Sequence, residues 1–309
     1  MIHILVTGAA GNIGSALVER LIQQVDYHVV GVDNFLTGLK EKLPDENVSN
    51  FEFIKADVNN FQELSSIMTS CRFNYVFHYA AVVGVQRTLQ NPVMVLNDIQ
   101  GFRNILDLSR NTDVERIFFS SSSEVYGEPV EFPQNELTTP LNSRLPYAVV
   151  KNVGEAFLRS YHREFDIRFT IFRFFNTYGP RQSEDFVISK FLKQALENRN
   201  ITIFDKGLQT RTFCYIDDNI DTTIRCLQQG LCVNEVMNVG SDEETTIMEL
   251  AEKIISITQS KSKIVYLPAL QEGDMTRRKP DITKMRRILG RPLLSLDEGI
   301  RKTMDMRMF

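Results

Sequence analysis

At 309 residues with 43% hydrophobic side chains, the chain can bury a large core and suits one large or two interlocked domains. Its formal net charge of -4 and pI of about 5.7 leave no overall basic field for nucleic acid or an anionic membrane, although single arginines can still bind small anions. Four cysteines, Cys71, Cys214, Cys226 and Cys232, show neither zinc spacing nor secreted-disulfide density, and no apolar run nears the ~20 residues of a spanning helix.

The expectation is therefore a globular protein of a reducing cytoplasm, without metal, membrane or nucleic-acid partner. No basic-then-apolar leader precedes the first strand. That strand, Ile2 to Thr7, runs straight into Gly8, Gly11 and Gly14, and apolar residues then recur with helical spacing at Ile13, Leu17, Val18, Leu21 and Ile22. Each glycine has a job in a strand, turn and helix that bind a dinucleotide. Gly8 permits the turn, Gly11 lets a pyrophosphate reach the backbone, and Gly14 lets helix and strand pack closely. Asn12 and Ile13 complete the loop at the helix N-terminus.

A second strand, His28 to Val32, ends in Asp33, roughly 20 residues beyond the glycines, where a carboxylate accepts hydrogen bonds from adenosine ribose hydroxyls. Asp33 favours NAD over NADP, because it repels a 2'-phosphate and no arginine follows it immediately; the next residue is Asn34. After a polar loop, a strand from Phe51 to Ala56 ends in Asp57 and Val58. Asp57 either meets the adenine amino group or caps a helix. The next strand, Tyr75 to Tyr79, continues into Ala80-Ala81-Val82-Val83-Gly84, small residues past which a cofactor's ribose and pyrophosphate fit. A helix from Pro92 to about Arg110 and a strand from Arg116 to Ser120 lead to Ser121-Ser122-Ser123-Glu124-Val125-Tyr126-Gly127. Alternating strands and helices imply a right-handed parallel sheet.

A helix starting at Pro146 carries Tyr147 and Lys151 four residues apart, on one face. An ammonium beside a phenol lowers a pKa that is ~10 when unperturbed, which turns tyrosine into a base near neutral pH. The strand Arg168 to Phe174 closes this unit. A helix from about Phe186 to Asn198, a strand Ile201 to Phe204, a strand Thr212 to Ile216 entering a helix at Asp217, a strand Val236 to Val239 and a helix Thr246 to Thr258 follow. Four histidines, His3, His28, His78 and His162, lack metal spacing and read as structural.

Together, several motifs resemble the extended short-chain dehydrogenase/reductases that modify nucleotide sugars. They are Thr7 to Gly14, Val32-Asp33-Asn34, Ser122-Ser123-Glu124-Val125-Tyr126-Gly127, Tyr147 with Lys151, Arg173 to Pro180, and Gln209 to Asp218. The resemblance spans nearly the whole chain. It implies an α/β fold, a Rossmann-type doubly wound parallel sheet with a smaller, interleaved C-terminal substrate-binding lobe. Residues 1–175, with 210–240 returning, would bind NAD, and residues 176–209 and 241–309 the nucleotide sugar. It also implies roles: Ser122, Tyr147 and Lys151 act at carbon 4 of a hexose, Lys151 also holds the nicotinamide ribose, and Asn176, Arg211 and Arg278 hold a diphosphate. Arginine forks suit paired phosphate oxygens.

Glu124 points within the family, since simple 4-epimerases usually have a small residue there whereas decarboxylases and dehydratases have glutamate. The segments Thr210 to Tyr215 and Arg278 to Ile282 are most similar to UDP-glucuronate decarboxylases, the first choice. Tyr147 to Lys151 and Ala81 to Val85 read more like a UDP-hexose 4-epimerase. An NDP-hexose 4,6-dehydratase and a catalytically silent NAD sensor are the other readings. Relatives pair as homodimers through helices corresponding to those starting near Pro92 and Pro146.

Overall fold

Ile4, Leu5 and Val6 are each fully buried, so both faces of the first strand are covered, as a parallel sheet flanked by helices requires. The computed structural model describes residues 1–268 and 277–306. In chain order the elements begin β1 (Ile2–Thr7), α1 (Asn12–Leu21), β2 (Tyr27–Asp33), β3 (Phe51–Lys55), α2 (Phe61–Ser70) and β4 (Tyr75–His78). Next come α3 (Val85–Gln90), α4 (Pro92–Leu96), α5 (Asp98–Asn111), β5 (Arg116–Ser122), α6 (Pro146–Phe165) and β6 (Arg168–Phe174). There follow β7 (Thr177–Tyr178), α7 (Val187–Leu196), β8 (Ile201–Phe204), β9 (Thr210–Thr212), β10 (Cys214–Tyr215) and α8 (Ile216–Gln228). The last are β11 (Glu235–Val239), β12 (Glu244–Thr246), α9 (Ile247–Thr258), β13 (Ile264–Leu267), α10 (Thr283–Leu289) and α11 (Leu296–Asp305).

Seven strands form one Rossmann-like sheet in the order β11-β6-β5-β4-β1-β2-β3. β1 pairs in parallel with β2 and β4, β2 with β3, and β4 with β5. The chain leaves β1 toward β3 on one side and resumes at β4 on the other, so the strand order reverses beside β1, where such sheets bind ligands at their carboxyl ends. Stacked aromatics run through the interior, with Phe77 and Phe118 ring centroids 4.4 Å apart and Phe102 edge-on to Phe119 at 4.6 Å.

The chain forms two compact units. The first comprises Met1–Val125, Ser143–Arg173 and Thr223–Met237, and the second Tyr126–Asn142, Phe174–Thr222 and Asn238–Phe309. Within the second, β7 pairs with β10, β9 with β12 and β8 with β13. Helix α9 opens with a capping box between Thr246 and Glu249, which satisfies two amides that would otherwise lack partners.

Several boundaries differ from the sequence expectation. The helix expected from Pro92 to Arg110 is α4 and α5, separated at Asn97 and preceded by α3. The strand expected over 212–216 is β9 and β10, because the chain changes partner at Phe213, from β12 to β7, and α8 begins at Ile216. β4 ends at His78, leaving residues 79–84 outside the strand, whereas β5 runs on through Ser122. No helix among the described residues is long and apolar enough to cross a membrane.

Candidate active site

The glycine loop is set by close backbone approach. Gly8 has φ +72°, and a Cβ there would lie 2.7 Å from the Ala80 nitrogen, so only glycine fits. A Cβ at Gly14 would sit 2.0 Å from the Gly8 carbonyl oxygen. Gly11 is the extended N-cap of α1, and the first amides of that helix have no intrahelical acceptor, which makes its N-terminus an anion site. Asn12 Oδ1 is buried without a hydrogen-bond partner among the described residues, so it is free to accept from a bound ligand. The amides of Tyr79 and Ala80 both donate to Thr7 Oγ1 at 3.2 Å, holding the 79–81 loop against the glycine turn.

Asp33 is buried, with Oδ2 accepting from the Ala10 amide at 3.0 Å and Oδ1 from the Phe35 amide at 2.8 Å. Burial raises its pKa, against those amides and Lys42. Each oxygen keeps capacity to accept a ribose hydroxyl. Asn34 Nδ2 donates to Asp57 Oδ2 at 3.2 Å, and Asp57 Oδ1 accepts from the Asn59 amide at 2.9 Å. Asp57 is not the helix cap. Asn60 caps α2, its side chain accepting from the amides of Gln62 and Glu63, so the capping alternative is corrected. Buried Val58 offers its carbonyl to Asn104 Nδ2 at 2.9 Å. A turn that tolerates only glycine, an open helix N-terminus, an orphaned buried Asn12 oxygen and a terminal-strand carboxylate together fit NAD.

The catalytic candidates of the first unit lie on β5 and α6. Ser122 is buried at the end of β5, and its Oγ accepts from the Glu124 amide at 3.2 Å. Half-buried Glu124 sits in the one-turn 3₁₀ helix Ser123–Tyr126. Pro146 occupies the first turn of α6, where its missing N–H costs nothing. One helical turn brings Lys151 Nζ to 5.6 Å from the ring centroid of half-buried Tyr147. The same nitrogen lies 4.9 Å over the Phe119 ring and 3.5 Å from Ser120 Oγ. Lys151 is 2% exposed, and burial pushes its ammonium down to about 8, opposed by the charge of Asp98. His78 is driven to about 3 by burial and by Lys151. It is a neutral ring, with Nδ1 2.9 Å from Thr7 Oγ1.

A buried ion pair fixes this arrangement. Glu155 is fully buried one turn beyond Lys151 and accepts from Arg173 Nε at 2.9 Å, Arg173 Nη2 at 2.7 Å and Ser121 Oγ at 2.7 Å. Helix α6 is thereby tied to β6 and to the residue before Ser122. Glu155 falls within the helix expected to start at Pro146, four residues beyond Lys151, and sequence reasoning did not single it out. It missed Asp98 altogether, because an uninterrupted helix from Pro92 conceals an acid at the start of α5.

The second unit brings its three candidates to neighbouring segments. Asn176, at φ 38°, donates from Nδ2 to the Thr212 carbonyl at 2.9 Å. Arg211 lies on β9, and Thr210 bridges to Arg277. Arg277 grips Glu244 at 2.5 and 2.7 Å, and Lys279 reaches it at 3.1 Å, holding that carboxylate down to about 2. Arg278, between them, is buried. No group of metal-ligating side chains occurs among the described residues.

Residues 4–240 match the NAD dependent epimerase/dehydratase family. UDP-glucuronic acid decarboxylase 6 of Arabidopsis thaliana is 36% identical over 309 residues, covering 96% of this chain and 86% of that protein. The crystal structure of a UDP-glucose 4-epimerase from Thermotoga maritima with UDP-glucose superposes with a TM-score of 0.92 at 32% identity, covering 99% of this chain and 98% of the other. A UDP-glucuronic acid 4-epimerase from Bacillus cereus, in complex with UDP-glucuronic acid and NAD, has a TM-score of 0.88 at 32% identity, over 99% and 98% of the two chains.

Proposed function

The chain belongs to the NAD dependent epimerase/dehydratase family, and from that premise we propose that it decarboxylates UDP-glucuronate through oxidation at carbon 4 of the hexose. It is an NAD-dependent enzyme of nucleotide-sugar modification. Gly8, Gly11, Asn12, Ile13 and Gly14 hold the pyrophosphate, Asp33 and Asn34 the adenosine ribose, Asp57 and Val58 the adenine edge, and Ala80 and Ala81 the remaining ribose. Bound there, NAD would supply the hydride acceptor for carbon 4 and, once reduced, the hydride that restores it.

The chain's own residues move the protons. Ser122 donates a hydrogen bond to the carbon-4 oxygen while Tyr147 takes its proton, and the Lys151 ammonium stabilises the phenolate that this requires. Once carbon 4 is a ketone, the carboxylate on carbon 5 belongs to a β-keto acid and leaves as carbon dioxide. Glu124 then delivers a proton to carbon 5. Asn176, Arg211 and Arg278 hold the diphosphate, as guanidinium forks suit paired phosphate oxygens. The observation that carries this reading is Glu124, a half-buried carboxylate two residues beyond Ser122 and hydrogen-bonded through its amide to that serine. A second reading, a UDP-hexose 4-epimerase, is favoured by the sequences Tyr147 to Lys151 and Ala81 to Val85 and by the solved relatives.

The test is incubation of the protein and NAD with UDP-glucuronate, UDP-glucose and UDP-N-acetylglucosamine separately, with products read by mass spectrometry and proton NMR. Carbon dioxide and a UDP-pentose from UDP-glucuronate support the proposal. Unchanged mass with a new sugar spectrum replaces it by epimerisation, loss of water by dehydration, and no product from any of the three defeats the UDP-sugar assignment. The four free thiols favour a cytoplasmic location. Exposed Val93 and Leu96 on α4 and Phe165 at the end of α6 favour a homodimer, which sedimentation velocity tests.

A further inference from the structure

Helix α5 links the parallel strands β4 and β5, and α6 leaves the same end of β5, so both start at the carboxyl edge of the sheet. They touch where Phe102 packs on Gly154, so closely that a Cβ at Gly154 would lie 2.4 Å from the Phe102 ring. Asp98 lies one turn before Phe102, and Lys151 about one turn before Gly154, so the packing sets acid and ammonium level with each other. Both reach the same aromatic floor. Phe102 meets Phe119 edge-on at 4.6 Å, and Lys151 Nζ lies 4.9 Å over the Phe119 ring.

We propose that Asp98 is the counter-charge of Lys151, a positioning residue that keeps the ammonium charged beside Tyr147. The inference rests on the assignment of Tyr147 as base and Lys151 as its partner. Asp98 is held for this task from two loops, its Oδ2 accepting from the Val82 amide at 2.8 Å and its Oδ1 from Asn59 Nδ2 at 3.5 Å. Asn59 in turn accepts the Gly101 amide of α5 at 2.9 Å, so the carboxylate has a fixed place. At the first turn of α5 it also faces the positive end of that helix.

Other groups also face the pair. His78 on β4 is neutral, Ser120 on β5 offers a hydroxyl, and Tyr147 shares the helix of Lys151. Asp57, beyond β3, repels the Asp98 charge. Burial raises the pKa of Asp98, and the Val82 amide, Lys151 and Asn59 counter it. Among the described residues, Asp98 is the group whose charge opposes the burial of Lys151. Without it, burial alone acts on the lysine, and a neutral lysine cannot stabilise a phenolate.

The test titrates the lysine directly in NAD-loaded protein carrying lysine labelled with carbon-13 at the ε position. The Lys151 resonance is assigned by its loss in Lys151→Met. The midpoint should lie near 8 in the wild type and about one unit or more lower in Asp98→Asn, which keeps the acceptor for Val82 and removes only the charge. Equal midpoints in the two proteins overturn the proposal, as a purely structural Asp98 would change unfolding alone. The reciprocal experiment needs no variant at Asp98: with carbon-13 carboxyl aspartate, Lys151→Met should raise the Asp98 midpoint, and an unmoved midpoint overturns the pairing even if Asp98→Asn does not fold. Turnover by Tyr147→Phe reports separately on the base assignment, since its persistence defeats that reading while the lysine titration still decides the role of Asp98.

Discussion

Replacing Arg173 by Met puts the anchoring of helix α6 under direct test. Glu155 is fully buried and Arg173 is 1% exposed. Two of the carboxylate's short hydrogen bonds come from the guanidinium, at 2.9 and 2.7 Å, and a third from Ser121 Oγ at 2.7 Å. In Arg173→Met the carboxylate keeps Ser121 and the half-exposed Arg159, whose Nη2 is 3.3 Å away. Breaking a buried pair by removing one partner costs about 3–5 kcal/mol, because the remaining charge is left uncompensated. In a chain of this size that is a fall in Tm of roughly 5–8 °C. Urea unfolding at pH 7 should show the loss. Adding Glu155→Gln should recover part of the loss, because it removes the stranded charge. A deficit below about 1 kcal/mol, or a double variant no more stable than Arg173→Met, refutes the reasoning.

Lys151→Met should stabilise the protein while abolishing activity. Burial lowers the folded pKa to about 8 from 10.5, so below pH 8 the fold carries an ammonium that the unfolded chain holds more readily. At pH 7 the gain is about 3 kcal/mol by linkage, and it fades as pH rises from 8 toward 10.5; denaturant melts across that range measure it. Gly14→Ala cannot be accommodated by a side-chain shift, since its Cβ would meet a backbone oxygen at 2.0 Å. NAD affinity should fall about tenfold or more, upward of ~1.4 kcal/mol, read by calorimetric titration. Tyr147→Phe should lower kcat by roughly 10²–10⁴-fold and leave NAD affinity unchanged.

The dinucleotide half of the fold was legible because its determinants are local. Gly14 answers to backbone atoms within its own turn, and an apolar strand ending in Asp33 announces itself without knowledge of any partner. Features governed by distant partners were hidden. Phe213 interrupts a strand only because β9 pairs with β12 and β10 with β7, and the break at Asn97 is marked by no proline or glycine. The cap at Asn60 could have been read from the glutamate three residues later, at Glu63, a spacing that favours a helix start. Tyr147 and Lys151 could be paired from spacing alone, whereas the counter-charge at Asp98 depends on how α5 packs against α6.

The most direct measurement of the central claim uses UDP-glucuronate deuterated at carbon 4, with the product analysed by mass spectrometry and NMR. If Tyr147 and Ser122 drive oxidation at that carbon and the hydride comes back to it, carbon dioxide is released, turnover slows relative to unlabelled substrate, and the deuterium is found at carbon 4 of a UDP-pentose. A product that has lost the label to water, or turnover indifferent to it in single-turnover measurements, contradicts the account.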